Sequence, residues 1–75
     1  MTAELVREAI YGDRCVAHFR CYDDRGGSAV EAQVTPVDGG EPVNRGPYWF
    51  PTAHDAFRFL QEASLALQYL GCTVS

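Results

Sequence analysis

The sequence contains no lysine. Its six basic residues are all arginines, set against ten acidic residues, and the formal net charge is −4 over 75 residues. Diffuse attraction to nucleic-acid phosphates requires a charge of the opposite sign. A nucleic-acid partner would therefore need a local arginine cluster, and the overall charge disfavours such a partner.

Long apolar runs are also absent, since no segment approaches the roughly 20 apolar residues that a membrane-spanning helix needs. Glu4 and Glu8 lie where a secretory signal would be basic and then apolar. Three cysteines, an odd number without a secretory signal, argue against a disulfide framework. We therefore expect a cytoplasmic protein with no membrane association and with reduced cysteines.

Paired metal ligands are missing as well. Cys15, Cys21 and Cys72 are widely spaced, whereas zinc ligands usually come in pairs about two to four residues apart. His18 would point away from the strand face shared by Cys15 and Cys21. The pattern favours buried free thiols, and it predicts no metal site and no cofactor.

A reactive constellation is not found either. His54 beside Asp55 could suggest a general base held by a carboxylate. The sequence places no nucleophile near them, however, and it has no glycine-rich phosphate loop. An exposed first helical turn explains both residues. We therefore expect no catalytic residues and do not predict an enzyme.

The most regular segment is an amphipathic helix near the C-terminus. Thr52 is a suitable N-cap with Asp55 three residues later, and Gly71 suits the left-handed position that ends many helices. One broad arc between them is apolar: Ala53, Ala56, Phe57, Phe59, Leu60, Ala63, Ala66, Leu67 and Leu70. Leu65 and Tyr69 form a small apolar pair on the polar side, where they could contact another subunit.

Alternation of apolar and polar residues predicts strands before this helix. Over residues 15–22 the core face would carry Cys15, Ala17, Phe19 and Cys21, and the other face Val16, His18, Arg20 and Tyr22. Residues 29–37 alternate in the same way, and residues 48–50 form a short aromatic strand. The sequence thus predicts one α+β domain over residues 1–75, an antiparallel sheet of three to four strands with the helix packed across one face.

Residues 2–11 fit either a strand or a helix, which gives the order ββββα or αβββα. A Gly12-Asp13 turn between two apolar runs favours a hairpin and hence a strand. Counting from this turn gives a register: Ile10 opposite Cys15, Ala9 opposite Val16, Arg7 opposite His18, Val6 opposite Phe19 and Leu5 opposite Arg20. Glu8 would then point toward the core, where an unpaired charge is costly.

The candidate binding surface is the sheet face away from the helix, called the open face below. It is predicted to carry Arg7, His18, Arg20, Tyr22 and either Tyr48 or Trp49, of which Trp49 is preferred. Arginine and aromatic residues together are typical of protein interfaces and of single-strand nucleic-acid platforms. We expect a small, acidic, non-catalytic binding or regulatory domain that acts through protein–protein contact or homodimerisation. Single-stranded nucleic-acid binding on the open face is the alternative.

Overall fold

A computed structural model describes residues 4–75. Its elements in chain order are β1 (Glu4–Tyr11), β2 (Arg14–Asp24), β3 (Gly27–Val34), β4 (Val43–Phe50), α1 (Ala53–Tyr69) and β5 (Thr73–Val74). The strands form an antiparallel sheet in the spatial order β4-β3-β2-β1-β5, and α1 packs on one face. The predicted α+β class and ββββα arrangement are confirmed, and the αβββα alternative is wrong. The first three residues, including the start of the ambiguous segment 2–11, lie outside the described residues.

Both ends of α1 are fixed by local backbone chemistry, as predicted. The Thr52 hydroxyl accepts a hydrogen bond from the Asp55 backbone N–H at 3.1 Å, which satisfies one of the free donors of the first turn. At the other end Gly71 has φ +98°, and the Cys72 N–H donates to the Leu67 carbonyl at 3.0 Å. This is a Schellman motif, whose left-handed position favours a residue without a Cβ.

The buried stripe of α1 is narrower than predicted. Ala56 and Leu60 are buried, and Phe59, Ala63 and Leu67 are half-buried. The other members of the predicted arc are exposed: Ala53, Phe57, Ala66 and Leu70. A single helix lying on a sheet covers one stripe of its own surface, so the flanks of a broad apolar arc stay uncovered. Within residues 4–75, no helix combines the length and the apolar character that a membrane span requires.

A β-bulge sets the register between β1 and β2. Ile10 lies opposite Cys15 next to the turn, as predicted. Ala9 then pairs with Ala17 instead of Val16, so β2 accommodates one extra residue. Val16 and Ala17 are consequently both buried. The predicted register is correct at Ile10 and wrong from Ala9 to the start of β1.

The bulge exchanges the faces of the residues in the first half of β1. Arg7 lies opposite Phe19, on the side of α1, whereas Glu8 lies opposite His18, on the open face. Both residues were predicted on the reverse faces, and both predictions are wrong. Because side chains alternate along a strand, one inserted residue turns the whole segment over.

A two-residue strand that the sequence pattern does not predict covers part of the outer edge of β1. β5 pairs with Ala9 and Ile10, and Glu8 and Ser75 exchange backbone hydrogen bonds of 2.9 and 3.0 Å. The turn at Gly71 brings the chain back from α1 to this edge. Some of the backbone N–H and C=O groups along the outer edge of β1 gain hydrogen-bond partners in this way.

β4 is longer than the predicted strand of residues 48–50. It contains Gly46, which has φ +89° and where an added Cβ would lie 2.8 Å from the Val30 carbonyl oxygen. The register between β3 and β4 shifts in this region. As a result Tyr48 lies opposite Val30 on the side of α1, and Trp49 lies on the open face.

The core between α1 and the sheet consists largely of small side chains. Ala9, Ala17, Ala32 and Ala56 are buried together with Val16, Phe19, Cys21, Val30 and Leu60. Alanines let the helix approach the sheet closely but bury little apolar area each. Larger apolar side chains remain exposed outside this core, among them Val37, Phe57, Leu65, Tyr69 and Leu70.

Candidate functional site

The open face holds four of the five residues that were predicted as a binding site. They are His18, Arg20, Tyr22 and Trp49. Arg7 lies on the other side of the sheet, in a groove next to Leu5 and Phe57, and its guanidinium donates to the Val6 carbonyl at 3.1 Å. Arg7, which was predicted on the open face, is therefore absent from it.

Arg20 is engaged by its neighbours on three sides. Its guanidinium lies 3.3 Å from the Glu4 carboxylate and 3.6 Å from the Glu31 carboxylate. The same group lies 5.1 Å from the centre of the Tyr22 ring, within cation–π range. Each of these contacts is partly exposed and weak alone. Together they hold the Arg20 side chain along the sheet surface. Its guanidinium is paired with two carboxylates, which a ligand phosphate would have to displace.

Tyr22 is tied to the same network through its hydroxyl. It donates a hydrogen bond of 2.9 Å to Glu31. This bond to a carboxylate raises the pKa of Tyr22 above its ordinary value, with smaller contributions from desolvation and from the nearby negative charges. Ionisation would break the bond and place two negative charges side by side. Tyr22 is therefore a neutral donor at neutral pH.

The remaining open-face pair joins β1 to β2. The Glu8 carboxylate lies 4.0 Å from Nε2 of His18, a contact that is ionic only when the histidine is protonated. Three glutamates, Glu4, Glu8 and Glu31, thus surround Arg20 and His18. The centre of the open face is therefore acidic, and its arginine, Arg20, is already paired.

A shallow depression of about 420 Å³ lies on this face between β2, β3 and β4. Its polar lining consists of His18, Arg20, Glu31, Gln33, Asn44 and Arg45. Asn44 and Arg45 belong to the half of β4 that was not predicted as a strand, so sequence reasoning missed them. Prolines on both sides of residues 43–46 hide the strand signal there.

Trp49 is held against the turn between β2 and β3. Its indole N–H donates to the Asp24 carbonyl at 2.9 Å, and its ring covers Gly27, where an added Cβ would lie 2.8 Å from the indole. The residue nevertheless remains 46% exposed. Trp49 therefore anchors β4 to the β2–β3 turn and presents only its outer surface.

A second depression lies on the other side of the sheet, where the C-terminal half of α1 passes the end of β3. We call it the C-terminal cleft; its volume is about 460 Å³. It is lined by Tyr11, Val16, Ala17, Phe19, residues 34–37, Ala63, Ala66, Leu67, Leu70 and Cys72. The lining contains no Asp, Glu, Lys, Arg or His, and most of it is apolar.

Large apolar side chains at and beside this cleft are exposed to solvent. Leu70 is 73% exposed, Val37 57%, and Tyr69, next in the chain to Leu70, 95%. At 100° per residue Tyr69 lies on the exposed side of α1, next to Ala66 at the edge of the cleft. Leu65, four residues before Tyr69, is 54% exposed. The Leu65–Tyr69 pair singled out in the sequence is thus exposed on α1 beside the cleft.

The three cysteines are all unpaired. Cys21 is buried, and burial, followed by the charge of Asp23, raises the pKa of its thiol. Cys72 is half-buried and Cys15 is exposed, so the prediction of buried thiols is wrong for Cys15, which the bulge turns outward. In residues 4–75, no group of three or more His, Cys, Asp or Glu side chains is arranged to hold a metal ion.

Two candidate surfaces result. The open face is charged, and its central groups satisfy one another, whereas the C-terminal cleft is uncharged and bordered by exposed apolar side chains. No protein-family model, curated protein or solved structure matches this chain.

Proposed function

We propose that this chain is a small, non-catalytic binding or regulatory domain that acts through protein–protein contact at the C-terminal cleft. The observation that carries the proposal is the uncharged cleft, whose lining includes the exposed Val37 and Leu70, together with the exposed Tyr69 that follows Ala66 on α1. Extended exposed apolar patches are uncommon on monomeric proteins and often mark interaction sites. Tyrosine and other large side chains are frequent anchors of such interfaces.

The fold explains why this surface is left uncovered. α1 buries only a narrow stripe around Ala56 and Leu60, and residues 34–37 continue past the end of the sheet core. A chain of about 75 residues buries only roughly 60% of the surface that its unfolded form exposes. Contact with another protein at this position would bury more apolar area and add stability.

We place the protein in the cytoplasm. All three of its cysteines are free thiols, and one of them, Cys15, is exposed. In an oxidising compartment an exposed thiol would tend to form disulfides, and small secreted domains usually rely on paired cysteines.

The alternative proposal, single-stranded nucleic-acid binding on the open face, has weaker support. Trp49 and Tyr22 do offer aromatic surface, and Arg45 borders the open-face depression. Arg20, however, is bracketed by Glu4 and Glu31, and a phosphate would have to displace both carboxylates. Titration of mixed single-stranded oligonucleotides at low salt, followed by Trp49 fluorescence, discriminates: binding that weakens as salt rises supports this alternative, and an unchanged signal removes it.

Photo-crosslinking in the native host tests the leading proposal. Tyr69 is replaced by photoreactive benzoylphenylalanine, an aromatic substitution at a position that is 95% exposed. Gln68 provides the matched control, because it is exposed in the same helical turn but borders the groove on the opposite side of α1. We expect protein adducts from position 69 and few from position 68. Equal labelling at both positions, or no protein adduct from position 69, would contradict the proposal.

A further inference from the structure

We infer that the occupant of the C-terminal cleft is a second copy of this chain, bound through the same surface. The inference rests on the proposed function, since it names the partner that the cleft binds. It is drawn from the charge, the area and the arrangement of the residues around the cleft.

Charge favours a second copy at this position. The chain carries a net charge of −4, so two copies repel each other wherever their acidic surfaces meet. Residues 63–70 of α1 contain no charged residue, and the cleft lining contains none. The last charges along α1, Arg58 and Glu62, lie 3.8 Å apart and compensate each other. The cleft is thus a surface on which two copies can meet with little repulsion.

The exposed area is sufficient for a dimer of modest affinity. The exposed parts of Tyr11, Val37, Leu65, Tyr69 and Leu70 present roughly 600 Å² in total, given that one aromatic side chain contributes about 150–250 Å². A symmetric pair that covered all of this area on both copies would bury at most about 1,200 Å², which is the lower end for specific interfaces. We therefore expect association in the micromolar range rather than an obligate dimer.

The arrangement suits a twofold axis, in which each copy uses the same surface. Tyr69 is almost fully exposed and does not line the cleft of its own copy, so it is free to insert into the cleft of the partner. Leu70 and Val37 of each copy would border the inserted ring. The contact is thereby reciprocal, and it closes after two copies instead of continuing into a filament.

Sedimentation equilibrium on the full chain tests this inference. Tyr69→Glu places two negative charges in the dimer contact, and Gln68→Glu adds the same charge in the same helical turn on the other side of α1. Circular dichroism confirms that both variants remain folded. We expect a reversible dimer for the wild type and for Q68E, and an increase in the dimer Kd of roughly tenfold or more for Y69E. The wild-type Kd should change little with sodium chloride, because the contact is uncharged.

A wild type that stays monomeric at high micromolar concentration overturns the inference. A Y69E variant that dimerises as strongly as Q68E also overturns it, because the dimer would then use another surface. Photo-crosslinking from position 69 separates this result from failure of the proposed function. If position 69 gives adducts with a different protein and the wild type is monomeric, protein–protein contact at the cleft is retained and self-association is rejected. If there is neither an adduct nor a dimer, both proposals are rejected.

Discussion

Leu60 provides the sharpest test of how α1 is attached to the sheet. It is 3% exposed and, with Ala56, forms the buried centre of the helix. Leu60→Ala removes three carbon atoms, which corresponds to about 2.4 kcal/mol of lost transfer free energy at about 0.8 kcal/mol each. The remaining cavity adds to this cost, so we expect destabilisation of about 3 kcal/mol. A domain of this length has a total stability of only about 4–11 kcal/mol.

The control is Leu65→Ala, the same chemical change in the same helix at a position that is 54% exposed. Helix propensity changes equally in both variants, so the difference between them reports burial. Urea unfolding at low micromolar concentration, followed by circular dichroism, measures both. With an m-value of about 1 kcal/mol per molar, the L60A midpoint should fall by about 2–3 M and the L65A midpoint by much less. Equal shifts would refute the packing of α1 through Leu60.

Three further outcomes are expected. Thr52→Ala should lower the free energy of unfolding by about 1 kcal/mol, whereas Thr52→Ser should lower it much less, because only the serine keeps the capping oxygen. Urea unfolding measures both variants, and equal losses of stability would contradict the cap. Glu31→Gln should lower the pKa of Tyr22 toward its ordinary value. Absorbance in an alkaline titration measures this pKa, and Tyr22→Phe identifies which signal belongs to Tyr22. An unchanged pKa would contradict the hydrogen bond. Gly27→Ala should destabilise the fold by about 1–3 kcal/mol or more, because the new methyl group would meet the Phe50 carbonyl oxygen of β4 as well as the Trp49 indole. Displacement of the indole should also shift the fluorescence of Trp49, and a neutral change with unaltered fluorescence would contradict both contacts.

The sign of the pH dependence follows from the raised pKa of Tyr22. A group whose pKa is higher in the folded than in the unfolded state stabilises the fold fully at pH values below its unfolded pKa. Its contribution is lost as the pH rises through the folded pKa. The Tyr22–Glu31 bond should therefore support stability at neutral pH and fail only in the alkaline range, where the wild type should lose its advantage over Y22F.

Local signals in the sequence were sufficient to predict α1. Capping by Thr52 and termination at Gly71 depend on residues within one turn of each end, and the structure contains both. The two-residue turn before β2 is equally local. These features could be predicted because the chemistry that fixes them does not depend on distant parts of the chain.

The register of β1 could not be predicted in the same way. Alternation alone places Val16 on the open face, but the bulge allows Val16 and Ala17 to be buried together. The joint burial of these two side chains depends on how α1 packs against β2. The alternation of residues along one strand carries no information about that packing. The bulge places Arg7 away from the candidate site and Glu8 within it, which is the reverse of the prediction.

The sequence pattern also does not predict the C-terminal cleft. Helical periodicity assigned Ala66 and Leu70 to a buried arc, because it cannot tell how much of an apolar arc a single sheet will cover. The cleft also depends on residues 34–37, which approach α1 only in the folded chain. The Leu65–Tyr69 pair was the one part of this surface that the sequence indicated.

In our proposal, this chain meets a second copy at the C-terminal cleft and not at the open face. The most direct measurement is a dilution series of nitrogen–proton correlation spectra of the wild-type protein. We expect the backbone amides of Val37, Ala66 and Leu70 to shift with concentration while the Trp49 indole and the Tyr22 amide stay in place. Shifts confined to the open face, or none at any concentration, would contradict the claim.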